Sequence, residues 1–180
     1  MGGEDANVNF YLKKGEEYEL KNDLANALRY YNKILLKDSK NVLAMLKIGK
    51  IYYKMGDYQS AIKYLEKLIS VNPKCLEAYY YLWNSYGKLG NYRKSWEYIN
   101  KALRIDSNYD KALKMKRTIK HKLNEIKKLG LEYYNKKEYN KALSYFKEYV
   151  QIINNNWIIF SCIGDCYFNL KDYKKCNKQL

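Results

Sequence analysis

The 180-residue chain carries 34 Lys and Arg against 19 Asp and Glu, a formal charge of +15, with 47% hydrophobic residues. That balance excludes an intrinsically disordered chain, and the absence of any run of about 18 apolar residues excludes a membrane-spanning helix. A single proline among abundant Leu, Lys, Tyr and Ala favours an all-helical fold.

Residues 1–7 read as a flexible polar lead-in. Met1-Gly-Gly-Glu-Asp lacks the basic-then-apolar secretory pattern, and Ala6 stands where myristoylation needs Ser or Thr, so a cytoplasmic location is the expectation. From Val8, a pattern of Tyr11, Gly15, Tyr18, Asp23, Ala27, Tyr31 and Ile34 sets in, with Lys14 and Asn22 at two of its positions. It recurs more sharply over Val42 to Cys75. There Met45, Ile48, Gly49 and Tyr52 fall on one helical face, and Tyr58, Ala61, Ile62, Leu65 and Leu68 on another. Between them Lys54-Met55-Gly56-Asp57 is a tight turn, with Gly56 suited to a left-handed C-terminal cap and Asp57 to an N-cap. Small Gly49 and Ala61 let two antiparallel helices approach, and Pro73 ends the second. Such a hairpin cannot bury its apolar face alone and needs neighbours.

Leu76 to Tyr109 repeats the pattern with Tyr79, Leu82, Tyr86, Gly90, Asn91, Tyr92 and Ala102, but Trp83 replaces the small glycine and Ser95 the facing alanine. An indole there predicts a local distortion of the hairpin. Residues 110–122 then break the frame. Ala112, Met115, Ile119, Leu123 and Ile126 continue an apolar stripe, which predicts one long helix from about Asp110 to Asn135. Lys114, Arg117, Lys120 and Lys122 on its other faces are either a solvated surface or a candidate polyanion patch. The pattern resumes with Leu129, Gly130, Tyr133, Glu138, Tyr139, Ala142, Phe146 and Tyr149. It begins once more at Trp157, giving Phe160, Ile163, Gly164, Tyr167, Asp172, Tyr173 and Cys176 before Leu180.

The spacing over Val42 to Cys75 resembles the 34-residue tetratricopeptide repeat signature, W-x2-L-G-x2-Y…A-x3-F…P. The resemblance implies a right-handed α-solenoid of about five helix-turn-helix hairpins, at residues 8–41, 42–75, 76–109, 123–156 and 157–180, the last truncated. Residues 110–122 form a helical insertion, a long basic helix between the third and fourth repeats. It further implies a protein-interaction scaffold whose first helices line a concave groove for a peptide or helix of a partner. Carried over position by position, the groove residues include Leu46, Lys50, Tyr53, Lys54, Tyr80, Tyr81, Asn84, Lys88, Lys127, Leu131, Tyr134 and Phe168. Tyrosine rings supply contact area at low entropic cost and the lysines supply carboxylate contacts. Some of these rings could equally pack against the next repeat.

Within the same family, co-chaperones hold the Glu-Glu-Val-Asp tail of heat-shock proteins in a clamp of Lys, Asn and Arg residues. The corresponding positions here read Leu12, Glu16, Lys47, Glu77 and Tyr81, so two carboxylates would oppose the tail, and no clamp is expected. In the later repeats Lys127 fits, but Leu131 and Cys162 replace the asparagines.

The layout is co-chaperone-like by analogy alone. No catalytic motif is present: His121, the one histidine, has no partner in a nucleophile or metal pattern, and no phosphate-binding glycine loop occurs. The chain is therefore read as no enzyme, with no cofactor. Cys75, Cys162, Cys166 and Cys176 lack metal-ligand spacing and read as reduced, mostly buried thiols. The positive charge fits either an AT-rich codon bias, which also accounts for 22 tyrosines, or nucleic acid (RNA) or another acidic partner as an alternative. At the end of the array Tyr167, Tyr173, Cys176 and Leu180 are expected to lack neighbours. That implies a piece of a longer protein or self-association through the last repeat.

Overall fold

The computed structural model describes residues 2–172, and the side chains of residues 7–172. Among the described residues there are nine α-helices and no strand: α1 (Gly2–Leu20), α2 (Leu24–Lys37), α3 (Val42–Met55), α4 (Tyr58–Val71), α5 (Leu76–Lys88), α6 (Tyr92–Ile105), α7 (Asp110–Asn135), α8 (Tyr139–Ile152) and α9 (Trp157–Asn169). Successive helices pack as hairpins, α1 with α2, α3 with α4, α5 with α6 and α7 with α8. They form an α-solenoid architecture in two compact units, Met1–Tyr109 and Asp110–Leu180.

One local device builds the four hairpins whose two helices are both described. A residue in the left-handed region closes the first helix: Asn22 at φ 57°, Gly56 at 81°, Gly90 at 75°, Lys137 at 60° and Lys171 at 58°. After α1, α3, α5 and α7 the next residue starts the second helix of the pair. Asp23, Asp57 and Asn91 accept from the backbone N–H of Asn26, Ser60 and Lys94 at 3.1, 3.0 and 3.2 Å. Each such cap satisfies a donor that the first helical turn leaves unpaired.

Where the paired helices cross, the contact is glycine against a large side chain. A Cβ added at Gly49 would lie 2.7 Å from Leu65 Cγ, and one at Gly130 would lie 2.6 Å from Phe146 Cε1. This corrects the expected partner of Gly49: Leu65 fills the space, while Ala61 is buried one turn away on the same helix. The third hairpin has Trp83 at the glycine position and keeps its helices together. Ser95 Oγ donates to the Trp83 carbonyl at 2.8 Å, which a splayed pair could not reach. The indole is only 1% exposed and packs edge-on against Tyr80 and Tyr109, at 5.2 and 6.1 Å between ring centres. The misfit is paid in hydrogen bonding, since buried Trp83 Nε1 has no partner among the described residues.

A second feature repeats with the hairpins. Tyr18 stacks on Tyr30, Tyr52 on Tyr64, Tyr86 on Tyr98 and Tyr133 on Tyr145, with centroids 5.5, 5.7, 5.5 and 5.6 Å apart and planes within 18° of parallel. Each pair bridges the two helices of one hairpin. These tyrosines therefore have a packing role that codon bias alone does not supply.

Three further expectations are revised. Helix α1 reaches back to Gly2, across most of the residues read as a polar lead-in, where nothing after Gly3 breaks a helix. Tyr167 has neighbours: it is 6% exposed in the core of the second unit, and Lys147 of α8 lies 5.4 Å from its ring centre. The remaining end residues, Tyr173, Cys176 and Leu180, lie outside the described residues. The third revision concerns the groove lysines, below.

Candidate partner-binding surface

The first helices of the first unit, α1, α3 and α5, share one face, where α3 and α5 touch directly. Its chemistry is a row of ion pairs. Lys47 of α3 meets Glu16 and Glu19 of α1 at 2.8 and 3.6 Å, Lys54 meets Glu19 at 3.3 Å, and Lys50 meets Glu77 of α5 at 2.8 Å. Glu19 also accepts from the Tyr31 hydroxyl at 2.9 Å. Burial alone would raise the Glu19 pKa. The Tyr31 hydrogen bond and the ammonium groups of Lys47 and Lys54 outweigh it and hold the carboxyl below its ordinary value. Burial likewise disfavours charge on Lys50, and Glu77 more than compensates, so its pKa is raised. The sequence assigned Lys50 and Lys54 to a partner's carboxylates. The fold gives both to carboxylates of the chain itself, because Glu19 and Glu77 stand on the flanking helices.

Beside the ion pairs is an aromatic wall. Tyr53 meets Tyr81 edge-on at 5.2 Å, Tyr81 meets Tyr80 at 5.1 Å, and Lys50 Nζ lies 5.7 Å from the Tyr81 ring centre. All three tyrosines are half-buried, as is Leu46. Burial pushes the Tyr53 and Tyr81 phenols upward from their ordinary value. Asn84 turns its amide back to the Tyr80 carbonyl at 2.7 Å, and Lys88 is exposed. Between α1 and α3 a pocket of about 350 Å³ is lined by Glu16, Glu19, Leu20, Lys47 and Lys54.

In the second unit the residues that the repeat resemblance carried over as groove positions are divided between core and surface. Leu131 and Tyr134 pack against the core cluster, and the Tyr134 hydroxyl donates to Asp165 at 3.1 Å. Burial and then Asp165 push that phenol up to about 12. Phe168 is 60% exposed on α9, Ile158 is 50% exposed, and Lys127 is half-buried. On α7, Lys114, Arg117, Lys120 and Lys122 are all exposed; Lys122 reaches Glu148 at 3.9 Å, and the other three make no ion pair among the described residues. His121 has Glu125 at 3.6 Å, both on the surface of α7. Cys166 is fully buried and its thiol is pushed up to about 12 by that burial, whereas Cys75 and Cys162 are half-buried. No group of three His, Cys, Asp or Glu able to hold a metal occurs among the described residues. No described helix is long and apolar enough to cross a membrane.

Profiles of the tetratricopeptide repeat match residues 20–83, 76–109 and 123–147, well over half of the chain between them. The chain belongs to the tetratricopeptide repeat family. Solved structures with the same fold include a MamA protein, 24% identical with a TM-score of 0.55, covering 96% of this chain and 87% of that one. The P58(IPK) tetratricopeptide domain is 16% identical with a TM-score of 0.65, and this chain spans 49% of its length while aligning over 96% of its own. The second tetratricopeptide domain of human RPAP3, solved with the HSP70 peptide SGPTIEEVD, is 17% identical with a TM-score of 0.61 over 66% of this chain and 98% of that one. No curated protein sequence matches the chain.

The ion pairs across the first-helix face are not legible from sequence. Glu16 and Glu19 lie 31 and 28 residues before Lys47. Only the stacking of successive first helices makes them neighbours.

Proposed function

We propose that the chain is a protein-interaction scaffold that holds an extended segment of a partner protein on the first-helix face of its first unit. The carrying observation is the half-buried wall of Tyr53, Tyr80 and Tyr81 beside a fully paired row of ions. Aromatic area that is already ordered binds side chains with little further entropic cost, and paired ions fix register without adding net charge. The RPAP3 domain with its bound peptide supports a peptide as occupant, but not the same peptide. Here Glu16 and Glu77 stand where a clamp would place cations or amides, and Lys47 is already engaged. A Glu-Glu-Val-Asp tail would have to break those pairs and face the released carboxylates.

The test is a photo-crosslinking residue at Leu46, with captured proteins identified by mass spectrometry. Capture should fall at least about tenfold in a Tyr53→Ala/Tyr80→Ala form that keeps its helical content. Capture that persists in the double variant counts against this face. A Glu-Glu-Val-Asp peptide should show no saturable binding up to about 100 μM, an affinity of only about 5 kcal/mol.

A second reading rests on Lys114, Arg117 and Lys120 of α7, exposed and without carboxylate partners among the described residues. It is binding of RNA or another polyanion, and an apparent affinity that falls steeply with salt and is lost in a triple-glutamine variant would favour it.

A further inference from the structure

We propose that the second-helix face of the first unit is a separate docking surface for an acidic, amphipathic protein segment. The unit divides its charge unevenly between its two sets of helices. Helices α1, α3 and α5 together carry six basic and six acidic residues. By contrast, α2 has three basic residues and no acidic one, α4 has two and one, and α6 has four and one. The excess positive charge of the unit's helices therefore sits on the second helices.

Its pairing is just as uneven. All three lysines of α3 are held by glutamates, whereas none of the nine basic residues of α2, α4 and α6 makes an ion pair among the described residues. One of the two acidic residues on this face, Glu66, is taken up by the hydroxyls of Tyr86 and Tyr98, which both donate to it at 2.7 Å. Several cations rest on rings instead, Lys33 at 4.9 Å from the Tyr30 centre and Lys101 at 4.7 Å from that of Tyr98. Ring contacts leave an ammonium group's charge uncompensated and available to an anion.

Between α2 and α4 this face holds a pocket of about 370 Å³ lined by Asn32, Leu35, Leu36, Lys63, Tyr64 and Lys67. Leu36 is 86% exposed at its edge, and Lys63 and Lys67 stand one helical turn apart across from it. An apolar recess rimmed by ammonium groups that make no ion pair among the described residues matches a segment with a Leu or Phe anchor flanked by Asp or Glu. Nucleic acid would satisfy the charges but has no aliphatic anchor for the leucines, so the recess favours a peptide.

The experiment uses the full chain and a fluorescein-labelled dodecapeptide of alternating Asp and Glu around a central Leu-Leu pair, read by anisotropy at low and physiological salt. Saturable binding that weakens with salt is expected. Lys63→Glu/Lys67→Glu should lower affinity at least tenfold, Leu36→Ser and the peptide's own Leu-to-Ser form should each lower it several-fold, and Tyr80→Ala should leave it unchanged. Circular dichroism checks that each variant is folded. The proposal is overturned by an absence of saturable binding at low salt or by full affinity in the Lys63/Lys67 variant. It is also overturned by loss on Tyr80→Ala, which would place the peptide on the other face. An oligonucleotide of equal charge that binds more tightly than the peptide would assign the surface to nucleic acid instead.

Discussion

Tyr133 of α7 and Tyr145 of α8 stack with their centroids 5.6 Å apart and their planes 5° from parallel. Lys141 and Lys136 lie over Tyr133 at 5.2 and 5.8 Å, so the outer edge of the stack is also occupied. The same cross-hairpin geometry recurs three more times in the first unit, which identifies it as a fastening of each helix pair. A double-mutant cycle of Tyr133→Leu and Tyr145→Leu, read by urea unfolding, should give a coupling energy of about 0.5–1.5 kcal/mol. Additivity within the error of the cycle would mean the rings contribute area alone.

Glycine-to-alanine changes should have opposite signs at two helical sites. At Gly130 the new methyl group would meet the Phe146 ring at 2.6 Å, and overpacking should cost about 1–3 kcal/mol before the helix-propensity gain is returned. At Gly87 the nearest atom is Ser95 Oγ at 3.7 Å, an ordinary contact, so Gly87→Ala should stabilise by up to about 1 kcal/mol. Thermal unfolding of both variants beside the wild type decides it.

Lys137 closes α7 at φ 60°, a conformation that costs an L side chain roughly 1–2 kcal/mol. Gly56 and Gly90 occupy the equivalent turns without that cost. Lys137→Gly should therefore raise stability by about 0.5–1 kcal/mol, the strain relieved less the entropy glycine loses. A lower midpoint would show that the Lys137 side chain contributes more than its backbone strain removes.

Glu19→Gln should destabilise by about 1 kcal/mol at pH 7, because a neutral amide forms no ion pair with Lys47 or Lys54. The sign follows from the lowered pKa of Glu19. A carboxyl with a depressed folded-state pKa contributes stability above its unfolded value of 4.5, and loses it as pH falls through the folded value. The gap between wild type and variant should thus be full at pH 6–7 and close below pH 4.5. A gap that stays constant down to about pH 2 would assign the effect to packing.

Hairpins and turns follow from local chemistry and were legible in the chain, whereas the start of α1 at Gly2 was not. Gly56 has no Cβ to oppose a positive φ, Asp57 can bond the first turn it precedes, and the apolar stripe from Ala112 to Ile126 continues one helix through the inserted residues. These depend on residues within about one helical turn of each other, so spacing alone determines them. Gly49 was legible as a small residue at a helix crossing, but its partner was not. Whether Leu65 or Ala61 fills the space opposite Gly49 depends on how two helices are rotated against each other.

Tertiary structure alone decided the state of the charges. Read along the chain, Lys50 and Lys54 are cations beside tyrosines, and +15 is a single number. In the fold, Glu19 and Glu77 arrive from the flanking helices and neutralise the first-helix face, while the lysines of α2, α4 and α6 make no ion pair among the described residues. Sequence determines which charges exist. The Coulomb energy between them depends on separation and solvent, and both are set only when helices 27 to 35 residues apart are brought within 4 Å.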